Sequence, residues 1–179
     1  MSRDMFRKLL ISIVLGLSAA PLAAADSLTG LAGPAGMLQP VDRVIVQKAN
    51  RRMELMRAGA VIASYKISLG LQPIGQKQRE GDFRTPEGTY RLTRRNAQSD
   101  FFLAVQVSYP EAIDIAIARR NGWAPGGAIM VHGLPNILKY SRDRYLSTDW
   151  TDGCIALSNE DMLDFWLLTG AGTPIEIRP

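Results

Sequence analysis

The sequence predicts a β-rich mixed α/β fold in one domain, with two helices flanking the strands. Three observations carry this. From Val41 onward the chain runs in short alternating apolar stretches punctuated by glycine, proline and asparagine, the pattern of half-buried strands. Only two later stretches have helical spacing with start and stop signals. The 154 residues left after an export-type N-terminus are enough for a single hydrophobic core.

Arg3, Arg7 and Lys8 form a positive head before the short apolar run Leu9–Leu17, and Ala23-Ala24-Ala25 offers small residues for cleavage. This is the form of a secretory signal peptide over residues 1–25, and the run is too short for a spanning helix. No cysteine lies near that point, which excludes a lipoprotein anchor. The expected location is therefore periplasmic or otherwise extracytoplasmic. Residues 26–40 read as a flexible leader, and 41–179 as the folded domain.

Residues 43–48 and 53–57 flank Asn50-Arg51-Arg52 and predict a hairpin; Val61–Leu69 predicts a third strand. Residues 70–88 are a long charged loop closed by Thr85-Pro86-Glu87-Gly88. Strands follow at Thr89–Thr93 and Phe102–Ser108. Pro110 permits a helix over residues 111–120, with Ile113, Ala116 and Ile117 on one face. Ala128–Val131 is an apolar strand that delivers His132 at its end, and Gly153–Leu157 is another that carries Cys154. Ser158 can cap a helix starting Asn159-Glu160-Asp161, with Met162, Phe165 and Trp166 as its buried face. Thr173–Ile177 is the last strand.

Loss of residues 1–25 removes three cations and one anion, so a net charge of +4 becomes +2. Such mild positivity, without a basic stripe or arm, argues against a nucleic-acid partner. The chemistry concentrates elsewhere. The chain has one cysteine, Cys154, and one histidine, His132. In an oxidising compartment cysteines normally pair; a single one is either a buried inert hydrophobe or a thiol kept for reaction. One thiol and one imidazole are the minimum for a cysteine nucleophile with its base. Gly133 and Gly153 strip side-chain bulk from beside both groups. The N–H groups of Gly153 and Cys154 can form an oxyanion hole, and the Gly133 carbonyl can hold the imidazole tautomer. One histidine, one cysteine and scattered aspartates such as Asp149 and Asp152 lack metal-ligand spacing, so no metal is expected.

With Gly81-Asp82, Arg84-Thr85-Pro86-Glu87-Gly88-Thr89-Tyr90, His132-Gly133 and Thr151-Asp152-Gly153-Cys154-Ile155 in this order, the chain resembles the L,D-transpeptidase catalytic domain (YkuD-like) family from about Val41 to Pro179. The resemblance implies a β-sandwich or barrel domain. It implies Cys154 as nucleophile on the carbonyl after an L-centre of a peptidoglycan stem peptide, His132 as base and Gly133 as third member, with Gly153, Thr151 and Asp152 around the oxyanion and substrate. The acyl group would pass to the amine of a neighbouring stem or a wall-linked protein, or to water, and the resemblance implies no metal or organic cofactor. A carboxypeptidase, an amidase and a non-catalytic wall-binding module are the competing readings. Two positions depart from the family pattern: Asp152 stands where histidine is common, and Ala156 where arginine is common. A carboxylate at 152 opposes thiolate formation nearby. Asn159 reads as the helix start rather than as a substitute contact for Ala156. Arg84 and Lys77 read as solvated loop charges, Trp150 as groove floor or packing, and the stretch with Tyr140, Arg142 and Arg144 as a lid over the cleft.

Overall fold

The computed structural model describes residues 39–179. Residues 1–25, expected as a signal peptide, and nearly all of the expected leader over 26–40 lie outside these residues.

The hairpin forms as the alternation requires. β1 (Arg43–Gln47) pairs antiparallel with β2 (Arg52–Arg57), and Val44, Val46, Met53 and Leu55 turn together into the core. β3 (Ala60–Lys66) extends this ribbon. On its other side β1 runs parallel to the C-terminal strand β8 (Pro174–Arg178), so that Val44 and Val46 lie beside Ile175 and Ile177. Next come β4 (Gly88–Ser99), β5 (Phe102–Val107), β6 (Met130–His132) and β7 (Ile155–Ala156), in the sheet order β3-β2-β1-β8-β4-β5-β6-β7. The two outer edges then approach each other. Past β3, Ser68 bridges Ala156 of β7, and Gly70 bridges Thr151. The sheet therefore curls towards closure, as the sandwich-or-barrel expectation requires, and the join falls beside Cys154.

α3 (Asn159–Leu168) is capped by Ser158, whose Oγ accepts the Asp161 N–H at 3.0 Å. It sinks Met162 and Phe165 into the core. α1 (Ala112–Arg120) forms where expected but shows a different face. Ile113 is 66% exposed and Ala116 and Ile117 are also exposed, while Asp114 and Ala118 are buried. The cause is a capping box: Asp114 accepts the Glu111 N–H at 2.9 Å and also the Tyr90 hydroxyl at 3.3 Å, which rolls its side of the helix inward. The structure has a third helix beyond the two expected, α2 (Arg142–Ser147), capped by Ser141. It does not cover the cleft. Tyr145 is buried beneath Trp150, and its carbonyl accepts both the Ser68 hydroxyl and the Trp150 indole N–H.

The loop 70–88 is held from inside. Lys48, just past β1, is 2% exposed and donates to the Gly75 and Thr85 carbonyls (2.7 and 3.0 Å) and to Glu87 Oε1 (2.8 Å). Thr85-Pro86-Glu87 is thus folded onto a buried ammonium. Further out, Asp82 accepts Lys77 Nζ at 2.8 Å and the N–H groups of Gln78, Arg79 and Arg84. Lys77 is buried rather than solvated, and Arg84 reaches the Gln76 carbonyl at 3.3 Å.

Candidate active site

His132 ends β6, whose preceding residue Val131 is fully buried in the core. Strand alternation turns the imidazole to the opposite face. Its register partners are Ala104 on β5 and Ala156 on β7, two small residues that leave room for the ring. Ala156 therefore has a clear packing role beside the imidazole. Phe101 and Trp150 enclose the ring at centroid distances of 4.7 and 5.6 Å, leaving His132 4% exposed. Burial lowers its pKa from 6.5 to about 4, against a smaller upward pull from the Gly133 carbonyl. The imidazole is accordingly neutral at neutral pH. Nδ1 lies 2.7 Å from the Gly133 carbonyl oxygen. A carbonyl only accepts, so the proton is on Nδ1 and Nε2 carries the free lone pair. That is the tautomer a general base needs, and Gly133 selects it as the sequence suggests.

Cys154 stands one residue before β7. Since Val131 pairs with Ile155 and His132 with Ala156, continuing the parallel register places Cys154 beside Met130, on the face that carries His132. Ile155, facing the other way, is fully buried. The sole thiol and sole imidazole thus occupy one face of adjacent chain segments. Both line a single cleft of about 790 Å³, with Phe101, Trp150, Thr151 and Asp152 among its walls.

The thiol rests as a donor to the Ala128 carbonyl, with Sγ···O at 3.6 Å; among the described residues no hydrogen bond joins it to His132. Ala128 adopts a positive φ of 54°, a conformation uncommon for a residue with a Cβ, and presents its carbonyl to the sulfur. Burial pushes the Cys154 pKa up. The Met130 N–H, a donor to the sulfur, opposes this; Asp152 pushes the same way as burial, and Lys77 pulls down. The resting pair is therefore thiol and neutral imidazole.

The turn before Cys154 is built around Thr151, a buried residue. Its Oγ1 accepts the Gly153 N–H at 3.1 Å and donates to the Cys154 carbonyl at 2.7 Å. The Gly153 N–H, expected to face an oxyanion, is thus engaged within the turn, and the Cys154 N–H is the donor left for that task. Gly153 itself has φ 131°, and a Cβ there would sit 2.6 Å from the Arg84 carbonyl oxygen; no other residue type fits. Asp152 is exposed at the cleft wall. Asp149 serves as a tie: it pairs with Arg51 at 2.8 Å and accepts the Leu69 N–H at 2.9 Å, fixing the approach to Trp150.

Sequence reasoning missed Phe101, Ala128 and the contact made by Asn159. Phe101 sits among the aromatics of the β4–β5 turn, where the sequence offered only the start of a strand. Ala128 follows Gly126-Gly127, and nothing local announces its backbone conformation. Asn159 Oδ1 accepts the Leu134 N–H at 2.8 Å, a partner 25 residues away.

Comparisons with known proteins place the chain by its sequence and fold. A curated Escherichia coli K12 protein, YafK, named provisionally as an L,D-transpeptidase, is 28% identical over 90% of this chain and 64% of its own length. The chain thus spans less than two thirds of that relative. The helical cell shape determining protein Pgp2 of Campylobacter jejuni is 28% identical with a TM-score of 0.59, covering 78% of this chain and 48% of Pgp2. Bd1075 of Bdellovibrio bacteriovorus shares the fold at 22% identity and a TM-score of 0.53, over 82% of this chain and 53% of its own. The L,D-transpeptidase catalytic domain (YkuD) profile matches residues 41–177, the whole curled sheet and its cleft, and the chain belongs to that family.

Proposed function

We propose that this chain is an exported cysteine acyltransferase acting on peptidoglycan stem peptides. The observation that carries the reading is the shared cleft: the only thiol and the only imidazole face it together, with the imidazole tautomer set by the Gly133 carbonyl. Nε2 of His132 takes the Cys154 proton as the sulfur attacks the carbonyl after an L-centre. The tetrahedral oxyanion is met by the Cys154 N–H. Collapse breaks the peptide C–N bond, and the imidazolium returns its proton to the leaving amine. The acyl group is left as a thioester on Cys154. The neutral amine of a second stem then attacks the thioester, giving its proton to Nε2, and the thiol is regenerated.

Water in place of that amine gives the hydrolase reading, a carboxypeptidase or amidase with the same nucleophile; the acceptor can equally be an amine of a wall-linked protein. The basic, apolar and small-residue order of residues 1–25 supports action outside the cytoplasm. The relationship to a cell shape determining protein fits a role in the wall. Purified muropeptides incubated with the protein and analysed by mass will give crosslinked dimers for transfer, or shortened or released stems for hydrolysis. Both should vanish with Cys154→Ala. Unchanged muropeptides with the wild-type protein would leave only a wall-binding module.

A further inference from the structure

The peptide unit joining Gly133 to Leu134 is held at both of its polar ends. Its carbonyl accepts the His132 Nδ1–H at 2.7 Å, and its N–H, on the opposite edge of the same plane, donates to Asn159 Oδ1 at 2.8 Å. A trans peptide is rigid and planar, so fixing its N–H fixes the direction of its carbonyl. The contact is close. A Cβ on Gly133 would lie 2.7 Å from Asn159 Oδ1, so the first turn of α3 is seated directly against the turn after His132. The preceding unit is also pinned, with the Gly133 N–H shared between the Phe101 and Leu103 carbonyls at 3.0 and 3.2 Å. The start of α3 does not need the Asn159 carboxamide, because Ser158 already caps it. Since Leu134 N is a donor, the atom facing it must be the carboxamide oxygen. Cys154 and Asn159 lie on one short continuous segment, so nucleophile and support are placed by the same piece of chain.

We propose that Asn159 is a positioning residue for the site: by holding the Leu134 N–H it keeps the Gly133 carbonyl on Nδ1, and so keeps Nε2 as the bare nitrogen of the base. The inference rests on the cysteine–histidine reading above, but its main readout is independent of activity. The protein has a single histidine, so ¹⁵N spectra of the imidazole report one residue without ambiguity. In the wild type they should show the proton on Nδ1. Asn159→Ala should give a mixture of tautomers and a roughly tenfold slower acylation of Cys154 by a carbapenem, the size of one net hydrogen bond. Asn159→Asp keeps an acceptor oxygen in the same place and should restore the Nδ1–H form and most of the rate. Asn159→Ser, too short to reach Leu134, carries the same expectation as alanine should the alanine variant unfold.

An unaltered Nδ1–H tautomer in the truncated variants overturns the proposal, as does failure of Asn159→Asp to restore it in a folded protein. If the tautomer shifts as described while even the wild type takes up no acyl group, the positioning role stands and the acyltransferase reading falls.

Discussion

His132→Gln is expected to slow acylation of Cys154 by about 10²–10⁴-fold, the usual contribution of a positioned general base. The size follows from the resting state of the sulfur. Burial and Asp152 raise its pKa, so few thiolates exist near neutrality and the reaction needs a proton acceptor at hand. The imidazole stays unprotonated down to about pH 4. The wild-type rate should therefore stay level from about pH 5 through neutrality, without an inflection near 6.5, until the thiol itself ionises; stopped-flow or intact-mass time courses across pH 5–9 test this. A clear inflection at 6.5 would mean a solvated imidazole and contradict the aromatic enclosure by Phe101 and Trp150.

The same substitution has a stability signature. In the unfolded chain the imidazole binds a proton near pH 6.5, whereas the buried ring does so only near pH 4. Between those values the unfolded state holds more protons, so wild-type stability should fall as pH drops from about 6.5 to 4, by about 3 kcal/mol for His132 alone. His132→Gln should lack that component. Denaturant unfolding of both proteins across this window isolates it by difference.

Lys48→Ala is expected to be the most damaging substitution to the fold away from the cleft. It leaves the Glu87 carboxylate and the Gly75 and Thr85 carbonyls facing the space vacated by a side chain that is 2% exposed. Breaking a buried pair from one side costs about 3–5 kcal/mol, equivalent to a fall in Tm of about 10 °C for a domain of this size. The loop that Lys48 anchors also supplies Lys77, Glu80, Gly81 and Phe83 to the cleft, so acylation should fall with stability. Lys48→Met combined with Glu87→Leu removes both charges and should cost less than Lys48→Ala alone. A loss below about 1 kcal/mol for Lys48→Ala would show that the loop has another anchor.

The strands were legible because much of their burial is periodic: Met53 and Leu55 alternate inward on β2, and Val44 and Val46 on β1, where Ile45 between them is buried as well. Closure of the sheet was not, since Ser68 and Gly70 meet Ala156 and Thr151 through isolated bridges in segments without periodicity. Lys48 was opaque for a different reason. A lysine at a strand end reads as solvated, and only the fold of a loop far along the chain supplies its three acceptors. The face of α1 was misjudged because apolar spacing competed with a capping box, and the hydrogen bonds of Asp114 prevailed. At the site, Cys154 and His132 stood out by being single and by their neighbouring glycines. The use of the Gly153 N–H by Thr151 and the reach of Asn159 to Leu134 are tertiary facts with no local trace.

A most direct measurement is the intact mass of the protein after exposure to a carbapenem. Cys154 as an accessible nucleophile served by His132 predicts one acyl adduct on the wild type, mapped to the peptide containing Cys154, and none on a Cys154→Ala variant of unchanged thermal stability. An adduct that persists in Cys154→Ala, or a wild-type protein that never acquires one, would contradict it.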